Sequence, residues 1–153
     1  MNIEYLSDHM AYAEDFANKI YLEFIKDIRH GISYEQVLAK VTNCHKTKLP
    51  IRLIALEDGK CVGTVAIVEN DLKCTDYTPW LASLYVDPAH RGQKIAQRLI
   101  ERVKSIVKDL GYTELYLRTE HTSDYYRRLG WEYVESHVDE FGLEPDVFQI
   151  ALV

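Results

Sequence analysis

The 153-residue chain is short of several things, and each shortage excludes a class of protein. It has three cysteines, Cys44, Cys61 and Cys74, an odd number with no metal-ligand spacing. Neither a disulfide framework nor a zinc site follows from them, and they are expected to be buried or idle thiols of a reducing compartment. The six histidines also lack ligand spacing, so no metal is expected. Basic excess is missing too: 18 Lys and Arg against 24 Asp and Glu leave a net charge of −6. That excludes general binding to nucleic acid or to an anionic membrane, both of which need a basic face. No apolar run approaches the roughly 20 residues needed to cross a bilayer. The start, Met1 to Tyr5, has no basic region ahead of an apolar stretch, so no signal peptide is expected and the cytoplasm is the default location. Linkers, repeats and low-complexity segments are absent, and residues 1–153 are expected to form one domain.

What is present is alternation between two periodicities. Met10, Ala13, Phe16, Ala17, Ile20, Tyr21, Phe24 and Ile28 recur at helical spacing, which predicts a helix from Asp8, as N-cap, to Arg29. Ser33 to Gln36 has capping-box spacing and opens a second helix through Val41. From Ile51 the pattern becomes strand-like. Residues 51–57 and 61–69 flank Asp58-Gly59, a strong hairpin signal. Residues 80–86 form a third strand, apolar enough for burial on both faces. A helix with Ile95, Leu99, Val103, Ile106 and Leu110 on one face follows, with Gly111 as its C-cap. Then come a strand at 113–119, a short helix at 123–129 ending at Gly130, and strands at 131–136 and 147–153. The strand–helix–strand unit over 80–119 predicts a right-handed parallel pair inside a mixed α/β sheet.

The most informative stretch joins the third strand to its helix: Val86-Asp87-Pro88-Ala89-His90-Arg91-Gly92-Gln93-Lys94-Ile95-Ala96. A strand that feeds a helix through a basic Arg-Gly loop aims free backbone N–H groups and the positive end of the helix dipole at one spot. Such a spot suits a phosphate.

These residues resemble the GNAT superfamily, the Gcn5-related acyl-CoA-dependent N-acyltransferases. The family's Arg/Gln-x-x-Gly-x-Gly/Ala motif, placed after Val-x-Pro, appears as Arg91 to Ala96 after Val86-Asp87-Pro88. Its second pattern, a Tyr followed by Leu-Gly-aromatic, appears as Tyr126-Arg127-Arg128-Leu129-Gly130-Trp131. The resemblance implies a mostly antiparallel twisted sheet of six to seven strands, with a central splayed parallel pair and about four flanking helices. It implies acetyl-CoA as cosubstrate and no metal. Leu84, Tyr85 and Val86 would contact the pantetheine arm and the acetyl carbonyl. Arg91, Gly92, Gln93, Lys94, Ile95 and Ala96 would hold the pyrophosphate. Tyr126, with a reference pKa near 10, would protonate the departing thiolate as general acid; the adjacent Tyr125 is the competing register. Lys94 departs from the family's Gly, and a helical φ there, with the ammonium toward phosphate, is the expectation.

For the general base, Glu120, His121, Asp76 and Glu57 are candidates, and ordered water is an alternative. Trp80 and the 70–79 loop, the N-terminal helices and the loop between the last two strands are the expected walls for an acceptor, with Trp80 equally well a core anchor. Aromatics and acids there suit a cationic amine. The expected partner is therefore a small-molecule or peptide amine, and exposed final strands in such a sheet offer pairing edges for a homodimer. Two functions stand: an acetyl-CoA-dependent N-acetyltransferase, and a non-catalytic acyl-CoA-binding domain on the same fold. A dinucleotide-binding module is excluded, because no Gly-rich loop follows the first strand.

Overall fold

The computed structural model describes residues 1–153. The strands are β1 (Asn2–Tyr5), β2 (Ile51–Glu57), β3 (Lys60–Val68), β4 (Trp80–Val86), β5 (Glu114–Thr119), β6 (Glu132–Ser136) and β7 (Asp146–Ala151). They form one sheet in the order β1-β2-β3-β4-β5-β7-β6. Every neighbouring pair is antiparallel except β4 and β5. The helices are α1 (Ala13–Ile20), α2 (Tyr34–Thr42), α3 (Ile95–Asp109) and α4 (Ser123–Arg128). No helix is long and apolar enough to cross a membrane.

Strand alternation divides the apolar residues between two layers. Leu53 and Ala55 of β2 face the layer of α3 and α4, and Ile54 faces the layer of α1 and α2. Ile95, Leu99, Ile100, Val103, Ile106 and Val107 of α3 are buried. Each side chain of that kind is worth about 1.5–3 kcal/mol when fully buried, so this face alone fixes the helix on the sheet. Gly63 of β3 sets how closely α3 approaches. A Cβ there would sit 3.3 Å from side-chain atoms of both Ile95 and Leu99, so any larger residue would push the start of α3 outward.

The N-terminal segment differs from its sequence pattern. Instead of one helix from Asp8 to Arg29, residues 2–5 pair with β2 as an edge strand. Two short 3₁₀ turns and the eight-residue α1 follow, and then a π-helical turn at Tyr21–Ile25. Asp8 caps nothing and pairs with Lys46 at 2.8 Å. The apolar stripe is buried at Ala13, Phe16, Ala17 and Ile20, and Tyr21 and Phe24 pack against it partly buried, while Met10 and Ile28 are exposed. The hairpin at Asp58-Gly59 and the Ser33–Gln36 capping box form as their residues predict.

Two other expectations are corrected. Only the first half of β4 and its last residue are buried; Ser83, Leu84 and Tyr85 are partly exposed. The register against β3 slips there, with two steps of β3 (Thr64 to Ala66) spanning three of β4 (Tyr85 to Ala82). This β-bulge has Ser83 at φ +56°, and the Thr64 hydroxyl donates to the Ser83 carbonyl at 3.1 Å, bracing it. Lys94 is not helical. It is left-handed at φ +62° and stands as the N-cap of α3. The turn into α3 demands that conformation whichever residue occupies it, and a non-glycine residue pays about 1–2 kcal/mol there.

Lys94→Gly should therefore raise unfolding stability by about 0.5–1 kcal/mol, the strain relief less the extra chain entropy of glycine. Lys94→Val should lower it, because a β-branched residue tolerates positive φ poorly. Urea denaturation of both variants checks the pair; a less stable Gly variant would contradict the strain.

Candidate active site

The parallel contact of β4 with β5 consists of one register pair, Trp80 opposite Tyr116. Beyond it the two strands part. The cleft between them is the main cavity of the molecule, about 840 Å³. Leu81 to Val86 form one wall and Leu117, Arg118 and Thr119 the other. The bulge at Ser83 breaks the alternation of side chains, which is how successive residues of β4 come to line the same space. Along this edge the backbone groups of β4 have no strand partner.

At one end the cleft meets the start of α3. The N–H groups from Gly92 through Gln97 donate to no acceptor within the chain. Gly92 at φ +82° and Lys94 at φ +62° bend this run into a concave cradle of the kind that holds anions. Gly92, Lys94, Ile95 and Ala96 line the cavity, whereas Gln93 is exposed and outside the lining. Arg91 lines it as well, but its side chain is committed elsewhere. Its Nε donates to the Val86 carbonyl at 3.0 Å, and the guanidinium lies over the Tyr85 ring at 5.7 Å. Arg91 therefore ties the loop to the end of β4.

Tyr126 enters from α4. That helix is set by Ser123, whose hydroxyl donates to Asp146 at 2.6 Å, and by the turn at Gly130, where the Trp131 N–H returns to the Tyr126 carbonyl at 3.0 Å. The Tyr126 ring packs edge-on to Tyr125 and Trp131. It is 8% exposed, and burial, reinforced by Tyr125, pushes its phenol above the usual range. The phenol is thus protonated at physiological pH. Its ring belongs to the main core cluster, and no bond within the chain occupies its hydroxyl. Tyr125 also lines the cavity, less deeply, so helical spacing alone does not exclude it.

The other half of the cleft is walled by the π-helical turn, with Glu23 and Phe24, by the loop after β3, with Asn70 and Asp71, and by Glu140 and Phe141. Arg118 is its hub. One terminal nitrogen donates to the Asp71 carbonyl at 3.1 Å; the other reaches Glu120 at 3.0 Å and Asp139 at 2.6 Å. Arg29 also donates to Glu120, at 3.1 Å. Burial pushes the Asp139 carboxyl up, but Arg118 and the Leu143 and Phe141 N–H groups outweigh it and hold it below its ordinary range.

Of the four residues proposed as bases from the sequence, only Glu120 lines the cavity. Its carboxylate is shared by two guanidinium groups. His121 and Asp76 are exposed outside it, and Glu57 faces His90 at 3.8 Å. Trp80 is fully buried, its indole N–H donating to the Tyr77 carbonyl at 2.6 Å; it is a core anchor. Asp71, Arg118, Asp139 and the Ser83 bulge are the features that spacing did not single out. No group of His, Cys, Asp and Glu side chains is placed to hold a metal ion.

The sequence profile described as "Acetyltransferase (GNAT) family" matches residues 12–131. The chain belongs to the GNAT acetyltransferase family. Solved structures agree with the fold of this acetyltransferase. An aminoglycoside 6'-N-acetyltransferase complexed with coenzyme A superposes with a TM-score of 0.76 at 16% identity, covering 100% of this chain and 98% of the other. YncA from Salmonella typhimurium, solved with acetyl-CoA, superposes with a TM-score of 0.71 at 19% identity, covering 100% and 94%. A GNAT acetyltransferase from Staphylococcus aureus Mu50 gives 0.75 at 16%, covering 99% and 100%. A comparison with curated proteins finds no match. The seven-stranded sheet with one parallel pair and four helices is the fold that the motif resemblance implied.

The ionic hub yields a stability test. The Arg118 side chain is 8% exposed and that of Asp139 fully buried. Arg118→Met leaves a buried carboxylate without its guanidinium and should cost about 3 kcal/mol. Because the folded Asp139 carboxyl sits low, its contribution is present at neutral pH and disappears as pH falls through that depressed value. The gap between wild type and variant should therefore narrow as pH is lowered, as followed by denaturation from pH 7 downward.

Proposed function

We propose that this acetyltransferase moves an acetyl group from acetyl-CoA to a primary amine, on a small molecule or a peptide, by direct attack within a ternary complex. The observation that carries this reading is the run of free N–H groups from Gly92 to Gln97, which opens through one cleft onto the unpaired edge of β4 and the free hydroxyl of Tyr126. A diphosphate fits the cradle because its oxygens are acceptors only, matching a row of donors at a helix N-terminus. An extended amide-bearing arm fits the β4 edge because it offers the hydrogen bonds that β5 does not.

In this reading Gly92, Gln93, Lys94, Ile95 and Ala96 hold the pyrophosphate mainly through backbone. Arg91 contributes by fixing the loop to Val86. Leu84, Tyr85 and Val86 contact the arm and the acetyl carbonyl, where backbone donors stabilise developing negative charge. Tyr126 gives its proton to the thiolate as the C–S bond breaks. Positioning both reactants in one cleft supplies much of the rate. The two relatives with bound coenzyme A or acetyl-CoA support the choice of donor. The aromatic and acidic lining by Phe24, Phe141, Glu23 and Asp71 supports a cationic acceptor. The free thiols suit a reducing, cytoplasmic setting. A non-catalytic acyl-CoA-binding role is disfavoured by the free Tyr126 hydroxyl and the open acceptor half of the cleft.

Thiol release from acetyl-CoA against a panel of amines, with coenzyme binding measured in parallel, tests the reading. Tyr126→Phe should lower kcat by about 10²-fold and leave coenzyme affinity unchanged; an unaltered rate removes Tyr126 from the acid role. Gly92→Val forces a side chain into positive φ and should weaken coenzyme binding by about tenfold. Normal affinity there would refute the phosphate cradle.

A further inference from the structure

The acceptor half of the cleft contains a carboxylate that the sequence motifs do not touch. Asp71 lies three residues after the end of β3 and lines the cavity beside Arg118. Its backbone is held firmly. Arg118 of β5 donates to its carbonyl at 3.1 Å, and the next residue, Leu72, is 1% exposed. The Asn70 side chain closes the turn onto the Thr75 carbonyl at 3.0 Å, and Thr75 donates back to the Leu72 carbonyl. Its side chain, by contrast, makes no hydrogen bond or ion pair within the chain.

The other carboxylates around the cavity are differently placed. Glu120 accepts from both Arg29 and Arg118. Glu140 pairs with Lys73 at 3.0 Å, and Glu23 is exposed on the outer π-helical turn. Asp71 alone is rigidly mounted, sheltered and uncommitted. An acceptor amine arrives as an ammonium ion and must lose a proton before it can attack, so the site needs such a group.

We propose that Asp71 is the general base that takes the proton from the acceptor ammonium. This rests on the acetyl-transfer reading above. The ammonium gives one proton to the Asp71 carboxylate, which passes it to solvent. The nitrogen lone pair forms the N–C bond with the acetyl carbon, and the C–S bond breaks. The thiolate takes the Tyr126 proton, and the nitrogen's second proton restores the phenol, leaving amide and free thiol.

The electrostatic surroundings suit the task. Burial pushes the Asp71 carboxyl up to about 6. The charges that face it are Arg118 from β5, Arg29 after the π-helical turn, Glu120 beyond β5 and Lys40 of α2. The three cations draw the value down and Glu120 raises it, so burial prevails. At neutral pH the group is ionised and yet basic enough to accept a proton.

Two measurements on the full chain test this. The first is the pH profile of kcat/KM for thiol release, using acetyl-CoA and an amine panel of tyramine, spermidine, an aminoglycoside and a lysine-bearing peptide. Wild type should show an acid limb near pH 6. Asp71→Asn should lower kcat/KM by about 10²-fold and abolish that limb, with coenzyme affinity retained. Asp71→Glu should keep part of the rate. A limb that persists in Asp71→Asn overturns the proposal.

The second measurement needs no turnover. A carboxyl raised in the folded state binds more protons there than in the unfolded chain, so its stability contribution is full at low pH and falls as pH rises toward 6. The melting temperature of Asp71→Asn should therefore gain on wild type between pH 4 and pH 7. A difference that does not change with pH overturns the proposal by itself. If no amine in the panel is acetylated while the melting difference follows the expected course, the acetyl-transfer reading fails and the base assignment falls with it, while Asp71 remains a sheltered, uncommitted carboxylate.

Discussion

One constraint shapes this molecule: β4 and β5 meet at Trp80 and Tyr116 and then separate. Parallel neighbours joined through a helix would ordinarily pair along their length. Here the bulge at Ser83, braced by Thr64, turns β4 before the ladder can continue. Gly63 meanwhile lets α3 settle closely over the β3–β4 half of the sheet. The result is a row of backbone donors and acceptors facing a gap. Unpaired groups of this kind are costly unless something satisfies them, and a wet cleft provides water until a ligand replaces it.

The wall opposite is built from charge. Arg118 gathers the Asp71 carbonyl, Glu120 and Asp139 around one guanidinium, and Arg29 joins through Glu120. Buried ion pairs add little to stability against an apolar replacement. Their effect here is to fix geometry, since one planar, forked side chain orients three separate segments at once. The loop after β3, the end of β5 and the loop before β7 are thereby held in a single arrangement around that half of the cleft.

What the sequence discloses follows from the range over which each feature is encoded. The Asp58-Gly59 hairpin, the Ser33 capping box and the helix from Ile95 depend on neighbours a few residues apart, and all three form. The Arg91–Ala96 cradle and the Tyr126 turn are equally local and carried the resemblance. By contrast β1 depends on a partner some 50 residues away; Ile3 and Tyr5 do alternate with Asn2 and Glu4, but four residues are too few for that period to identify a strand without its partner. The bulge at Ser83 has no glycine to announce it, because the strain is met by Thr64 across the sheet. Lys94 likewise gives no local sign of its left-handed φ, because the turn imposes it whatever the residue prefers. Asp71, Arg118 and Asp139 lie on three separate segments, and no spacing rule brings them together.

The tie from Arg91 to the Val86 carbonyl has a metric consequence. It fixes the span between the helix-start donors and the free edge of β4, so the fold acts as a ruler for whatever lies across both. A ligand whose anionic and reactive ends were separated by a shorter or longer chain could occupy either end of the cleft, but not both in register. Length, as much as chemical identity, is then a selection criterion written into the backbone.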